Sequence, residues 1–239
     1  MTPIPTGPAA VLLDIEGTIS PISFVKEVMF PVAAAALPAF VAAHAGEPDV
    51  EAALDGVRST ALAEDGGQLE RQGLVERLLA WIAADRKHPS LKSLQGRIWQ
   101  TEFEAGRLVA PFYDDVPPML RRWQGEGRRI AIYSSGSALA QRQFVRYTDH
   151  GDLSGLVERY FDLTVGAKQE PASYRAIAAA LSLAPERILF LTDSPPEVEA
   201  ARRAGLRAVQ VVRPGTTVLA TGTIVRSFDE LPALPEMTS

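Results

Sequence analysis

Short apolar segments alternate with helical patterns through the second half of the chain, and this alternation limits the possible folds most strongly. The apolar runs predict strands at residues 129–133, 161–165, 187–191 and 208–212, and the helical patterns lie at residues 116–125, 138–147, 172–181 and 197–204. Strands that alternate with helices form right-handed βαβ units and a parallel sheet. An earlier apolar run, Val11-Leu12-Leu13, adds a strand to the same sheet. We therefore predict an α/β fold with a Rossmann-like, doubly wound parallel sheet.

An alanine-rich stretch with helical periodicity separates the first strand from the alternating half. Four successive helices with short polar joints are typical of a small bundle. We predict an α/β core of residues 1–20 and 110–239, with residues 21–109 inserted as a helical-bundle cap above the carboxyl edge of the sheet. Pro31 and Pro38 are expected to kink or divide the first helix, and Asp115 is expected to cap the helix that starts at residue 116.

Composition excludes several classes of function. The chain has 239 residues, a net charge of −5 and 46% apolar residues. An acidic chain without basic patches argues against nucleic-acid and membrane-surface partners. There are no cysteines, which excludes disulfides and thiolate chemistry. The first nine residues carry no basic residue ahead of an apolar run, and no stretch has about 18 uninterrupted apolar residues. We expect a cytoplasmic protein.

Polar residues follow four of the predicted strands, at the edge of the sheet where ligands bind in α/β folds. These residues are Asp14 and Glu16, Ser134 and Ser135, Lys168, and Asp193. Each has an ordinary structural interpretation: a turn for the Asp-x-Glu-Gly segment, helix caps for the serines and Asp193, and a solvated loop position for the lysine. Together they supply the nucleophilic carboxylate, hydroxyl donors, ammonium group and distal carboxylate of a phosphoryl-transfer site. Two carboxylates beside a glycine also favour a hard cation with oxygen ligands, Mg²⁺ above all.

Several motifs give the chain a resemblance to a known family. They are Leu13-Asp14-Ile15-Glu16-Gly17-Thr18 with Pro21-Ile22-Ser23-Phe24-Val25-Lys26, Leu91-Lys92-Ser93-Leu94-Gln95-Gly96 with Ile98-Trp99, Tyr113-Asp114-Asp115-Val116-Pro117, Ile132-Tyr133-Ser134-Ser135-Gly136-Ser137, and Leu191-Thr192-Asp193. The chain resembles the haloacid-dehalogenase superfamily over nearly its whole length, and within it the acireductone synthase branch. Glu16 departs from the Asp-x-Asp opening usual in the superfamily and is a mark of this branch. The stretch at residues 91–99 is the most specific to the branch.

The resemblance implies a role for each site residue. Asp14 would attack phosphorus and form an aspartyl-phosphate, while Glu16 would act as general acid and base. Ser134 and Ser135 would bind phosphoryl oxygens, and Lys168 would compensate their charge. One Mg²⁺ per subunit would be held by Asp14, Glu16 and Asp193. The sequence leaves open whether Glu16 binds through its side chain or its backbone carbonyl.

A second activity is also implied: enolisation of the substrate before its phosphate is removed. The product of 2,3-diketo-5-methylthiopentyl-1-phosphate would be the acireductone 1,2-dihydroxy-3-keto-5-methylthiopentene plus phosphate, in methionine salvage. The base is left open between Glu16 and Lys92. Lys92 is also a candidate for binding substrate, and its ordinary structural interpretation is a solvated helix lysine. Glu197 is either a group that orients the waters of the metal or a surface carboxylate. The resemblance also favours a monomer.

Two alternatives stay open. One is another capped small-molecule phosphatase or related enzyme of the superfamily, such as a sugar-phosphate phosphatase, a phosphoglucomutase or a 2-haloacid dehalogenase. The other is a catalytically silent binding protein, which loss of Asp14, Lys168 or Asp193 would mark; all three are present. His44, His88 and His150 show no ligand spacing and are expected to be structural or exposed.

Overall fold

The computed structural model describes residues 7–218 and 222–233. These residues form two compact units, one made of the chain up to Ile22 and from Val109 onward, the other of Ser23–Leu108. The first unit contains β1 (Ala10–Leu13), α5 (Val116–Gly125), β2 (Arg129–Tyr133), α6 (Ala138–Arg146), β3 (Arg159–Phe161), α7 (Pro171–Ala180), β4 (Ile188–Thr192), α8 (Pro195–Arg203), β5 (Arg207–Val211) and β6 (Ile224–Val225). The second contains a π-helical segment (Phe24–Met29), α1 (Phe30–Ala43), α2 (Pro48–Asp65), α3 (Arg71–Ala83) and α4 (Pro89–Glu104).

Within the described residues, the strands of the first unit form one parallel sheet in the order β3-β2-β1-β4-β5-β6. The first strand lies near the middle, with Leu12 opposite Ala131 of β2 and Phe190 of β4. The α/β fold with a parallel sheet predicted from the alternation is confirmed. This order places the residues that follow β1, β2 and β4 side by side at one edge.

Both faces of the sheet are covered by helices. Leu12 and Phe190 point to the face that packs against α7 and α8. Because side chains alternate along a strand, Val11 and Leu13 point to the other face, and both are fully buried. The central strands are apolar on both faces, which is the pattern of a doubly wound sheet.

In the helical unit, Pro31 lies in the first turn of α1, where a proline is tolerated, and the chain before it is π-helical. The expected division occurs there, whereas Pro38 lies inside α1 and does not divide it. The Trp99 indole of α4 donates to the Met29 carbonyl at 2.8 Å. By length and composition alone, Phe24–Ala43 could cross a membrane, with a mean hydropathy of 1.6 and a third of its window buried.

Two local expectations were wrong, and one short strand was not predicted. Only Arg159–Phe161 is a strand in the 161–165 region, because the Asp162 side chain accepts a hydrogen bond from Thr164 N at 2.9 Å and starts a 3₁₀ turn. Asp115 makes no side-chain cap to α5; its carboxylate accepts from Arg213 at 2.9 Å. The short strand β6 was not predicted at all.

Candidate active site

The site is built on the residues that follow β1. Asp14 continues the strand far enough for its N–H to donate to Leu191 O at 2.9 Å, and its side chain is buried. The chain then turns at Gly17, which has φ +73°. A Cβ at this position would lie 2.4 Å from the Asp193 carboxylate, so only glycine fits. The turn therefore brings the loop that carries Glu16 against Asp193, although these residues are far apart in sequence.

Lys168 connects the loop after β3 to this position. Its ammonium group lies 2.6 Å from Asp14 Oδ1 and 2.8 Å from Glu197 Oε2, and its side chain is 12% exposed. The Tyr174 hydroxyl donates to the Lys168 carbonyl at 2.6 Å and fixes the backbone. A buried lysine between two carboxylates is not a solvated loop residue.

Sequence reasoning missed part of this cluster. The Thr192 hydroxyl donates to Glu197 Oε2 at 3.0 Å, lies 3.4 Å from Asp14 Oδ2 and accepts from Ser194 N at 3.2 Å. Glu197, in the first turn of α8, has a side chain that is 13% exposed, so it is not a surface carboxylate. Its only signal in the sequence was the four-residue spacing from Asp193, and Thr192 stood out only as a member of the Leu191-Thr192-Asp193 motif, with no role assigned to it.

Burial and mutual repulsion perturb the acids of the cluster. Burial first, and then the charges of Asp14 and Glu16, raise the pKa of Asp193 to about 7 against the opposing effect of Lys168. The pKa of Glu197 is also raised, first by burial and then by Asp14. Burial alone would lower the pKa of Lys168, but Asp14 and Glu197 outweigh it and raise that pKa above its ordinary value. The lysine is therefore a permanent cation at neutral pH.

Ser134 and Ser135 follow β2, the strand beside β1. Ser134 is buried and its N–H donates to Phe161 O at 3.1 Å. Neither serine caps the next helix, because Ser137 holds that position and accepts from Ala140 N at 3.3 Å. The helix-cap interpretation of the two serines was wrong. Leu13 lies opposite Ile132, so the register brings both serines to the same edge of the sheet as Asp14, one and two residues beyond its neighbour Tyr133.

The predicted metal ligands lie on this same edge. Within residues 7–218 and 222–233, no three His, Asp or Glu side chains converge as a metal cluster. The donor set nevertheless fits Mg²⁺, which binds through one or two carboxylates and keeps water or phosphate in its other positions. Burial and the neighbouring charge of Asp14 raise the pKa of Asp193, and a bound cation would favour the ionised form of this carboxylate. Asp14, Asp193 and an oxygen of Glu16 are the groups that would hold the ion.

The remaining predicted residues lie elsewhere. Lys92 is half-buried on α4 of the helical unit, and its contact with substrate stays a prediction. His88 caps α4 through Ser90 N and packs on Trp81. His44 pairs with Glu47 within three residues. Those two histidines are structural.

Comparison with known proteins places the chain in a family. Residues 8–205 match the haloacid dehalogenase-like hydrolase family. Enolase-phosphatase E1 of Sorangium cellulosum (strain So ce56) is 45% identical over 93% of this chain and 96% of its own length, and that of Acidiphilium cryptum (strain JF-5) is 48% identical over 90% of both. The crystal structure of the UTR4 protein of Saccharomyces cerevisiae superposes with a TM-score of 0.78 at 31% identity, over 93% of this chain and 99% of that one. The chain therefore belongs to the haloacid dehalogenase-like hydrolases and, among them, to the enolase-phosphatase E1 family.

Proposed function

We propose that this protein is a Mg²⁺-dependent acireductone synthase. It enolises 2,3-diketo-5-methylthiopentyl-1-phosphate and hydrolyses the phosphate to give 1,2-dihydroxy-3-keto-5-methylthiopentene. The observation that carries the phosphatase half is the buried contact of Asp14 with Lys168, at 2.6 Å, beside Asp193 and two strand-end serines. Kinship with enolase-phosphatases supports the enolase half and the substrate class.

Phosphoryl transfer starts at Asp14. One carboxylate oxygen attacks phosphorus and the alkoxide of the substrate departs, which leaves an aspartyl-phosphate that water then hydrolyses. Lys168 holds Asp14 in place and, as a fixed cation, neutralises charge on the equatorial phosphoryl oxygens. Ser134, Ser135 and the amides near them donate to the same oxygens. Mg²⁺, when bound by Asp14, Asp193 and a Glu16 oxygen, would supply the positive charge that offsets repulsion between carboxylate and phosphate.

Glu16 is the proposed acid and base of this reaction. It lies two residues beyond Asp14 on the loop that Gly17 turns, half-exposed and therefore accessible to a leaving group. It would donate a proton to the departing alkoxide and then take one from the attacking water. In this proposal the metal would take the backbone carbonyl of Glu16, and the carboxylate would act as the acid and base.

Enolisation requires removal of a proton next to the diketone. Glu16 and Lys92 are the two candidate bases, and Lys92 would also bind substrate from the helical unit. We propose that residues 21–109 act as a cap that excludes solvent from the enediol. A cytoplasmic monomer without membrane or nucleic-acid partners completes this proposal.

The test follows both half-reactions in one cuvette. The diketo-phosphate is mixed with the protein and Mg²⁺ while enediol absorbance and free phosphate are recorded together. Both signals should rise, and EDTA should abolish them. Phosphate release without an enediol signal would identify another phosphatase of the superfamily. Dehalogenation of a 2-haloacid that survives EDTA would identify a dehalogenase.

A further inference from the structure

A buried ion pair that the proposed reaction does not use joins Arg213 to Asp115. Arg213 is 7% exposed, and its Nη2 lies 2.9 Å from Asp115 Oδ2. Removing both charges from water is costly, and apolar residues of similar volume often give equal or greater stability. Stability alone therefore does not explain the pair well. The contacts of its two side chains with neighbouring segments indicate a second role.

The guanidinium group of Arg213 ties three segments of the α/β unit together. Its Nε donates to Thr18 O at 3.2 Å, and its Nη1 donates to Arg226 O at 3.1 Å. Its central carbon lies 4.1 Å from the centre of the Tyr113 ring, within the range of a cation–π contact. The planar group with fixed donors can hold all three partners at once, which an ammonium cannot.

Asp115 fixes the guanidinium from the other side. Its Oδ2 also accepts from Phe228 N at 2.6 Å and from the Ser227 hydroxyl at 3.1 Å. The carboxylate is thus shared between Arg213 and the chain that follows β6. Neither member of the pair is free to move without breaking contacts of the other.

The contact with Thr18 links this cluster to the proposed site. Thr18 is two residues beyond Glu16, and the intervening Gly17 lies against Asp193 with no room for a Cβ. The loop is held by backbone hydrogen bonds within itself, by Tyr113 N, which donates to Ile19 O at 3.1 Å, and by the Arg213 side chain, which donates to Thr18 O at 3.2 Å. A shift of the Thr18 carbonyl would move Glu16 and Asp193 relative to each other.

We propose that Arg213 is a positioning residue for the reaction, with Asp115 as its counter-charge. It holds the loop after β1 in the conformation that sets Glu16 beside Asp193. This inference rests on the proposed phosphatase chemistry of that loop but not on the identity of the substrate. A misplacement of about 1 Å in a reacting group can cost about 10²-fold in rate, so the effect should be on turnover.

The experiment compares the double variant Asp115→Asn/Arg213→Met with Arg226→Met. The double variant removes both charges together, and asparagine keeps an acceptor for Phe228 N, so no lone charge is left buried. Arg226→Met is the matched control, because it is the same Arg-to-Met substitution at an exposed side chain. Arg213→Lys tests rescue. The measurements are kcat and KM with p-nitrophenyl phosphate, thermal midpoint, and hydrogen exchange of residues 15–22.

We expect the double variant to stay folded, to lose about 10²-fold in kcat with KM changed less than about 3-fold, and to exchange faster at residues 15–22. Arg213→Lys should recover part of the kcat, and Arg226→Met should match the wild type. A folded double variant with wild-type kcat and wild-type exchange would overturn the proposal. If the wild type cleaves the aryl phosphate but not the diketo-phosphate, the proposed substrate fails while this comparison stands. If it cleaves neither, the hydrogen exchange alone decides.

Discussion

The ammonium group of Lys168 lies 2.6 Å from the carboxylate of Asp14, although 154 positions separate the two residues in the chain. Lys168 lies in the loop after β3, and only β2 separates that strand from β1 in the sheet, so the loop reaches Asp14 along the edge that the carboxyl ends of these strands share. Replacing Lys168 by Met would leave Asp14 and Glu197 facing each other without a cation. We expect kcat with p-nitrophenyl phosphate to fall by about 10²-fold or more, since a charge aimed at the transition state is lost.

The control for this substitution is Lys87→Met, because Lys87 is exposed and pairs only with the exposed Asp85 among the described ion pairs. That variant should keep wild-type turnover. A folded Lys168→Met enzyme with normal kcat would remove the lysine from the mechanism.

Replacing Asp14 by Asn keeps the shape of the side chain but removes the nucleophile. Phosphate release should fall by about 10⁴-fold or more, as for other groups that form a covalent intermediate. Asp55→Asn is the matched control, since the Asp55 side chain is 66% exposed in the helical unit. Substantial turnover by Asp14→Asn, measured as free phosphate, would exclude Asp14 as the nucleophile.

Glu16→Gln should slow protonation of the leaving group and leave Mg²⁺ binding intact. The expected loss is about 10²-fold to 10⁴-fold for an alkyl phosphate and much less for p-nitrophenyl phosphate, whose leaving group needs no acid. Titration calorimetry measures the Mg²⁺ affinity. If phosphate release from the alkyl substrate is unchanged across pH, Glu16 is not the acid.

Lys92→Ala tests the role proposed for the helical unit. Because the stretch at residues 91–99 is the part most specific to this branch, the variant should impair kcat/KM for the diketo-phosphate more than for p-nitrophenyl phosphate. Lys26→Ala, on the π-helical segment of the same unit, is an exposed control. Equal losses on both substrates would indicate a folding defect or a general role.

The raised pKa of Asp193 predicts how stability depends on pH. Its ordinary value is 3.8 and its folded value about 7, so between these limits the folded protein holds a proton that the unfolded chain has released. Stability without metal should therefore fall as pH rises through about 4 to 7 and level off above, and Glu197 acts in the same direction.

Mg²⁺ should reverse this loss. At pH 8, where Asp193 is ionised, saturating Mg²⁺ is expected to raise the melting temperature by roughly 5 °C, and at pH 5.5 by much less, because a proton must first leave. Scanning calorimetry measures both midpoints. An equal shift at the two pH values would show that Asp193 does not bind the ion.

Sequence alone predicted the sheet and the strand-end residues because both depend on local patterns. The apolar run before Asp14 predicts a buried strand, and the polar residues after it can only lie at its end. Thr192 and the Arg213–Asp115 pair were not identified, since their partners lie on other elements and leave no periodic signal. Asp115 was expected to be a helix cap because its position suited that role, but a distant guanidinium offered a stronger partner.

The central claim is that Asp14, Ser134, Lys168 and Asp193 converge at one edge of the sheet and make Asp14 a nucleophile. Direct detection of the covalent intermediate tests this claim. The protein is mixed with substrate and Mg²⁺, quenched in acid, reduced with borohydride and digested. Reduction of an aspartyl-phosphate leaves homoserine, which peptide mass spectrometry locates. We expect homoserine at position 14, dependent on substrate and absent in Asp14→Asn. Homoserine at Asp193, or turnover without any such adduct, would contradict the account.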